Sequence, residues 1–203
     1  MNTIYTYKTI STLTEAEFKD RGSRFLGFSF PINSVEDTKK HIKHLKELHP
    51  KAVHYCFAWR LGSDQTSYRA NDDGEPSGSA GKPILGQLDS FGITNTLIIV
   101  VRYFGGTILG VPGLINAYKT VAHECIILNT IVEKNIEHFY TLEFDYTVIN
   151  DVMRILKQYQ CTILKNEMNL FCQLKLGIAL VDEEIVLSKL KDLRSVEIKN
   201  INQ

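Results

Sequence analysis

The sequence predicts an α+β protein in two domains, residues 1–132 and 133–203. Three observations carry that expectation. An uncharged, β-branched run from Thr96 to Val101 has the character of a buried strand, and glycine-rich segments flank it on both sides. Helical and strand periodicities are mixed along the first 130 residues. Beyond residue 130 the order becomes strand, helix, strand, strand, helix, strand, which is the ferredoxin-like split arrangement.

Taken in order, residues 2–12 are rich in Thr, Ile and Tyr and suggest a strand, and 23–31 (SRFLGFSFP) a second. A helix follows, with Ser34 as its N-cap, Asp37 at the third position and Pro50 as its stop. Ile42, Leu45 and Leu48 mark its apolar side, while Lys39, Lys43 and Lys46 line another, as a solvated face or as a stripe for phosphates. VHYCFAWRL (53–61) alternates as a strand, placing His54 and Cys56 on one side. Same-side neighbours two apart are only loosely adjacent, so packing explains them better than a Cys–His nucleophilic pair.

Pro83 to Phe91 gives a short helix, and Pro112-Gly113 opens a longer one over 112–128. Leu114, Ala117, Tyr118, Val121 and Cys125 form the inner stripe of that second helix. The C-terminal pattern is strand 136–146, helix 148–159, strands 161–167 and 170–178, helix 182–192 and strand 194–199. NEMN (166–169) reads as the turn between the two middle strands.

Composition narrows the functional classes. The 203 residues carry 23 basic and 23 acidic side chains, so no global field draws the chain to nucleic acid or membrane. Apolar runs fall short of the ~20 residues needed to span a bilayer, and MNTIYTYKTI lacks the basic and apolar regions of a signal peptide. The four cysteines, Cys56, Cys125, Cys161 and Cys172, show no zinc-ligand spacing and read as reduced cytosolic thiols, mostly in the core.

The chemistry concentrates in NDDGEPSGSAGKP (71–83) and RYFGGTILGVPGLINAY (102–118). A phosphate-binding P-loop fails, because Pro76 stands at its first glycine and Pro83 at its hydroxyl. No dinucleotide fingerprint occurs, and Asp72-Asp73-Gly74 lacks the alternating oxygen ligands of a calcium loop. Asp72, Asp73 and Glu75 could hold a divalent metal or act as acid and base, or could cap turns and pair with Lys82 or Arg102. The helix opening at Pro112-Gly113 offers free N–H groups beside Gly105, Gly106 and Gly110, with Asn116 and Lys119 one turn on. An anion would fit there; a tight strand-to-helix connection explains the glycines equally well.

NDDGEPSGSAGKPIL, the branched strand, RYFGG, LG-x-x-GL and AY, together with H-x-C-x-A at His54, Cys56 and Ala58, resemble the signature of the IMPACT family, whose bacterial members are called YigZ-type. The resemblance spans essentially the whole chain. One departure is Val111-Pro112-Gly113-Leu114 and Ile115-Asn116-Ala117-Tyr118 where the family commonly has Ala-Gly-Gly-Leu and Val-Arg-Ala-Tyr, so Asn116 removes a cation. The resemblance implies an N-terminal domain similar to domain IV of elongation factor G and a ferredoxin-like domain similar to that factor's last one. Eukaryotic members regulate translation by competing for an activator of a starvation-responsive kinase, through a partner-binding domain unlike the C-terminal domain here.

A non-enzymatic cytosolic regulator of translation is therefore expected, binding RNA, the ribosome or a translation-associated protein, without a small-molecule cofactor. Lys82, Arg102, Tyr103 and the Gly105-Gly106 backbone would make its contacts. The rival readings are a metal-dependent enzyme acting on a nucleotide or phosphoester through Asp72, Asp73 and Glu75, and an interaction module whose NDDGEPSG loop docks a basic partner.

Overall fold

A computed structural model describes residues 4–168 and 171–201, leaving aside the side chain of Met168. It is a mixed α+β structure of two compact units, one formed by Tyr7–Lys134 and the other by the chain from Asn135 together with residues up to Thr6. Among the described residues no helix is long and apolar enough to cross a membrane.

The first unit is built on a five-stranded sheet. Its strands are β2 (Thr14–Asp20), β3 (Ser23–Pro31), β4 (His54–Leu61), β5 (Ser67–Asn71) and β6 (Thr96–Tyr103), in the order β2-β3-β6-β4-β5. Neighbouring strands run antiparallel. The apolar run becomes the central strand, with Leu97, Ile98, Ile99, Val100 and Val101 all at 0% exposure. A strand buried on both faces cannot alternate apolar with polar, which is why its sequence is uniformly branched.

Helices α2 (Gly81–Phe91) and α3 (Gly110–Ile127) cover one sheet face, packing Ile84, Leu88, Ala117, Tyr118 and Val121 against Phe25, Cys56 and Ile98. Helix α1 (Val35–Leu48) covers the other, where Leu45 and Ile42 meet Phe28, Trp59 and Ile99. The N-terminus of α1 is a capping box: Asp37 N donates to Ser34 Oγ at 3.2 Å and Ser34 N to Asp37 Oδ2 at 3.1 Å. Leu48, expected on the apolar side, stands 59% exposed at the helix end. A short sheet pairs β1 (Thr6–Ile10) with β7 (Ile131–Asn135).

The second unit runs β8 (Glu137–Asp145), a 3₁₀ turn, α4 (Ile149–Gln158), β9 (Thr162–Met168), β10 (Phe171–Ala179), α5 (Glu183–Lys191) and β11 (Val196–Asn200). Its antiparallel sheet has the order β11-β8-β10-β9, the ferredoxin-like topology. Leu142, Phe144, Leu174 and Leu176 line the inner face against Val152, Leu156, Val186 and Leu190. Asn166, Glu167 and Met168, expected in the hairpin turn, belong to β9 instead, and Asn169 lies outside the described residues.

Candidate functional site

The acidic segment folds back on its own backbone. Asp72 Oδ1 accepts from the amides of Ala80 and Gly81 at 3.0 and 2.8 Å, and Oδ2 accepts from Gly78 N at 2.9 Å. Ala80, the N-cap of α2, has no side chain able to bond the first amides, and Asp72 supplies the missing acceptor from eight residues upstream. Gly81 is needed where this closure is tightest, since a Cβ there would sit 2.6 Å from Asn71 N. Asp73 Oδ2 accepts from Tyr55 N at 2.7 Å, tying the loop to the start of β4.

Burial is the largest single influence on the Asp72 carboxyl and pushes its pKa up. The amides of Gly78, Gly81 and Ala80, with nearby Lys82, together outweigh it and hold the pKa below the ordinary value. A depressed folded-state pKa gives stability that is present above the unfolded value of about 3.9 and lost as pH falls through the folded one. Asp72→Asn is therefore expected to cost about 1–2 kcal/mol near neutral pH. In urea unfolding at a series of pH values, the difference from the wild type should shrink as pH falls below the unfolded value and through the folded one. A pH-independent difference would rule out this ionisation as its source.

Glu75 turns inward. Its side chain is 3% exposed, and Oε1 accepts from Arg102 Nη1 at 2.6 Å and from the Tyr118 hydroxyl at 2.7 Å. Arg102, on β6, lies between the rings of Phe25 and Phe104, 5.3 and 5.7 Å from their centroids, and its Nε has no hydrogen-bond partner among the described residues. The Cys56 thiol sits within 3.3 Å of the Tyr118 hydroxyl and 3.0 Å of the Asp72 carbonyl. Burial pushes the Cys56 thiol and the Tyr118 phenol far above their ordinary values, so both keep their protons near neutral pH.

His54, at the start of β4, completes the group. Its Nδ1 lies 2.7 Å from the Asp73 carbonyl, which can only accept, so Nδ1 carries the hydrogen. Nε2 faces Glu75 Oε2 at 4.0 Å. His54, Glu75 and Arg102 form the floor of a cavity of about 410 Å³, whose rim is apolar: Val53, Phe104, Ile108 and Val111. Those four are 49%, 51%, 83% and 45% exposed, a concentration of open apolar surface that marks binding faces. The first turn of α3 also borders the cavity, and its N-cap, Leu109, makes no side-chain cap bond.

The remaining expected site residues are placed differently. Lys82 is exposed in the first turn of α2. Tyr103 alternates to the opposite sheet face from Arg102, with its hydroxyl 3.0 Å from His49 Nδ1 and Arg24 over its ring. Gly105 packs on the backbone of Gly22 and donates to Ser23 Oγ at 3.2 Å, while Gly106 is exposed at φ 84°. Asn116 and Lys119 are on the exposed side of α3, away from its buried stripe, and do not line the cavity.

The structure thus gathers Asp72, Asp73, Glu75 and Arg102 into one network and leaves Lys82, Tyr103, Asn116 and Lys119 outside its floor. Asp72, Asp73 and Glu75 diverge onto three different partners, a geometry that does not converge on a shared cation. Among the described residues no group of three His, Cys, Asp or Glu side chains is placed to hold a metal. Sequence reasoning missed Tyr118 and the apolar rim as site components. Tyr118 stood in the helix stripe as an ordinary core residue, and the polar tip of a buried tyrosine was the available signal.

A family model for the Impact N-terminal domain matches residues 21–126. The chain is 33% identical over 158 residues to the Escherichia coli (strain K12) protein named IMPACT family member YigZ, covering 77% of this chain and 78% of that one. It is 32% identical over 157 residues to IMPACT family member YvyE of Bacillus subtilis (strain 168), covering 77% and 72%. A crystal structure described as that of a hypothetical protein superposes with a TM-score of 0.77 at 28% identity, covering 99% of this chain and all of the other.

Proposed function

The chain belongs to the IMPACT family, and from that membership we propose that it regulates translation in the cytosol by binding RNA or the ribosome rather than by catalysis. The single observation that supports binding over catalysis is how the motif's ionisable groups are occupied. Asp72 and Asp73 accept from backbone amides, Glu75 neutralises Arg102, and the Cys56 and Tyr118 protons are held by burial. What faces outward is an apolar-rimmed cavity beside the open N-terminus of α3.

Arg102 is buried, so a phosphate backbone would be met by exposed cations, among them Lys82 and the row of Lys39, Lys43 and Lys46 on α1. Ribosomes sedimented across a salt series should carry the protein down at low salt and release it steeply as salt rises. Changing Lys39, Lys43 and Lys46 together to Glu should reduce the slope of log affinity against log salt by about one per lysine that contacts phosphate. Protein that stays in the supernatant at every salt concentration, with its fold intact, overturns the proposal.

A further inference from the structure

We propose that the cavity above His54 and Glu75 receives an unpaired adenine or cytosine of RNA, with the exocyclic amino group of the base set between Nε2 and Oε2. This rests on the RNA-directed reading above and names what the cavity recognises. With a hydrogen held on Nδ1 by the Asp73 carbonyl, the Nδ1–H tautomer of His54 turns its Nε2 lone pair towards Glu75 Oε2. Two acceptors then face each other at 4.0 Å, and Oε2 has no donor among the described side chains although the Glu75 side chain is 3% exposed. An acceptor that faces the cavity and loses its water to a docking ligand without gaining a donor is costly, and the chemistry that satisfies both at once is one nitrogen carrying two hydrogens. A nitrogen within ordinary hydrogen-bond reach of both sees them at roughly a right angle, and the wider H–N–H angle of an amino group still leaves each bond within the favourable range of alignment.

The charge balance selects a neutral donor over an ammonium group. Arg102 already neutralises Glu75, and the N-terminus of α3 adds partial positive charge at the same cavity, so a second cation would be repelled. A carboxylate or phosphate would bring further acceptors to two that lack a donor. The body of the ligand must be apolar and is best flat, since Phe104 presents a half-exposed ring beside Val53 and Ile108. An aminated nucleobase combines these properties. Uracil and hypoxanthine place a carbonyl oxygen where the amino group would sit, and a third acceptor there is unfavourable.

The test uses the full chain and fluorescence anisotropy with single-stranded oligouridine carrying one central adenosine, cytidine or inosine. The adenosine and cytidine oligomers are expected to bind at least about tenfold more tightly than the inosine oligomer or oligouridine alone, the discrimination of one good amino contact. Ile108→Asp puts a charge on the rim and should remove that preference, read as the ratio of adenosine-oligomer to inosine-oligomer affinity within the variant. Equal affinity for adenosine and inosine oligomers overturns the inference. If ribosome co-sedimentation persists in that case, the translation role stands and a protein partner becomes the occupant. Free adenosine binding as tightly as the oligomer overturns RNA as the source of the base. Failure of every oligonucleotide to bind overturns the pocket assignment, and failure of the ribosome pellet as well overturns the role on which it rests.

Discussion

Arg102→Met is expected to destabilise the first unit by about 3–5 kcal/mol. Removing the guanidinium leaves Glu75 charged, with a side chain only 3% exposed and the Tyr118 hydroxyl as its remaining donor. Loss of the packing between Phe25 and Phe104 adds to the cost. Adding Glu75→Gln should restore most of the stability, because a neutral amide can still accept from Tyr118 and carries no charge to compensate. Urea unfolding followed by the fluorescence of Trp59, the sole tryptophan and a residue of β4 in the same unit, measures both variants. A single variant costing under about 1 kcal/mol, or a double variant no better than the single, would show that the pair is not the anchor described.

Gly105→Ala is expected to prevent the 103–110 loop from docking against the start of β3. A Cβ on residue 105 would lie 1.9 Å from the Gly22 carbonyl carbon and 2.2 Å from Ser23 N. Both are backbone atoms, so relief requires the two chain segments to separate, breaking the Gly105 N–H bond to Ser23. The cost should reach at least the about 1–3 kcal/mol typical of overpacking, with amide exchange accelerated at residues 22–24 and 103–106. Gly106→Ala is the control: φ is 84° there but the space is open, so about 1 kcal/mol is expected without loss of docking. Equal effects of the two substitutions would contradict close backbone approach as the reason for the glycine at 105.

What the sequence made legible was whatever depended on local pattern. The Ser34–Asp37 box, the branched core strand and the inner stripe of α3 each follow from spacing along the chain. The order of the last six elements was readable for the same reason, since each alternation of period is local. Strands β2 and β5 escaped because they form the two edges of their sheet. In β2, Glu15, Glu17 and Lys19 alternate outward while only Ala16 and Phe18 face the core, so charge masks the strand pattern. The role of Arg102 was illegible for a different reason. Its partner lies 27 residues away and the hydroxyl shared with that partner a further stretch along, and no local rule links them. Turn capping by Asp72 was foreseeable as an option, but the choice between it and a metal site needed the three amides in space.

The strand order carries a consequence for how the chain acquires its shape. β3 and β4 each pair with β6 and not with each other, so the sheet is two hairpins, β2-β3 and β4-β5, joined by one inserted strand. During synthesis the inner edges of both hairpins stay open until residues 96–103 emerge. That late insertion also delivers Arg102 to Glu75. Completion of the sheet and assembly of the cavity floor are therefore one event, and a nascent chain cannot present the binding face before its core has closed.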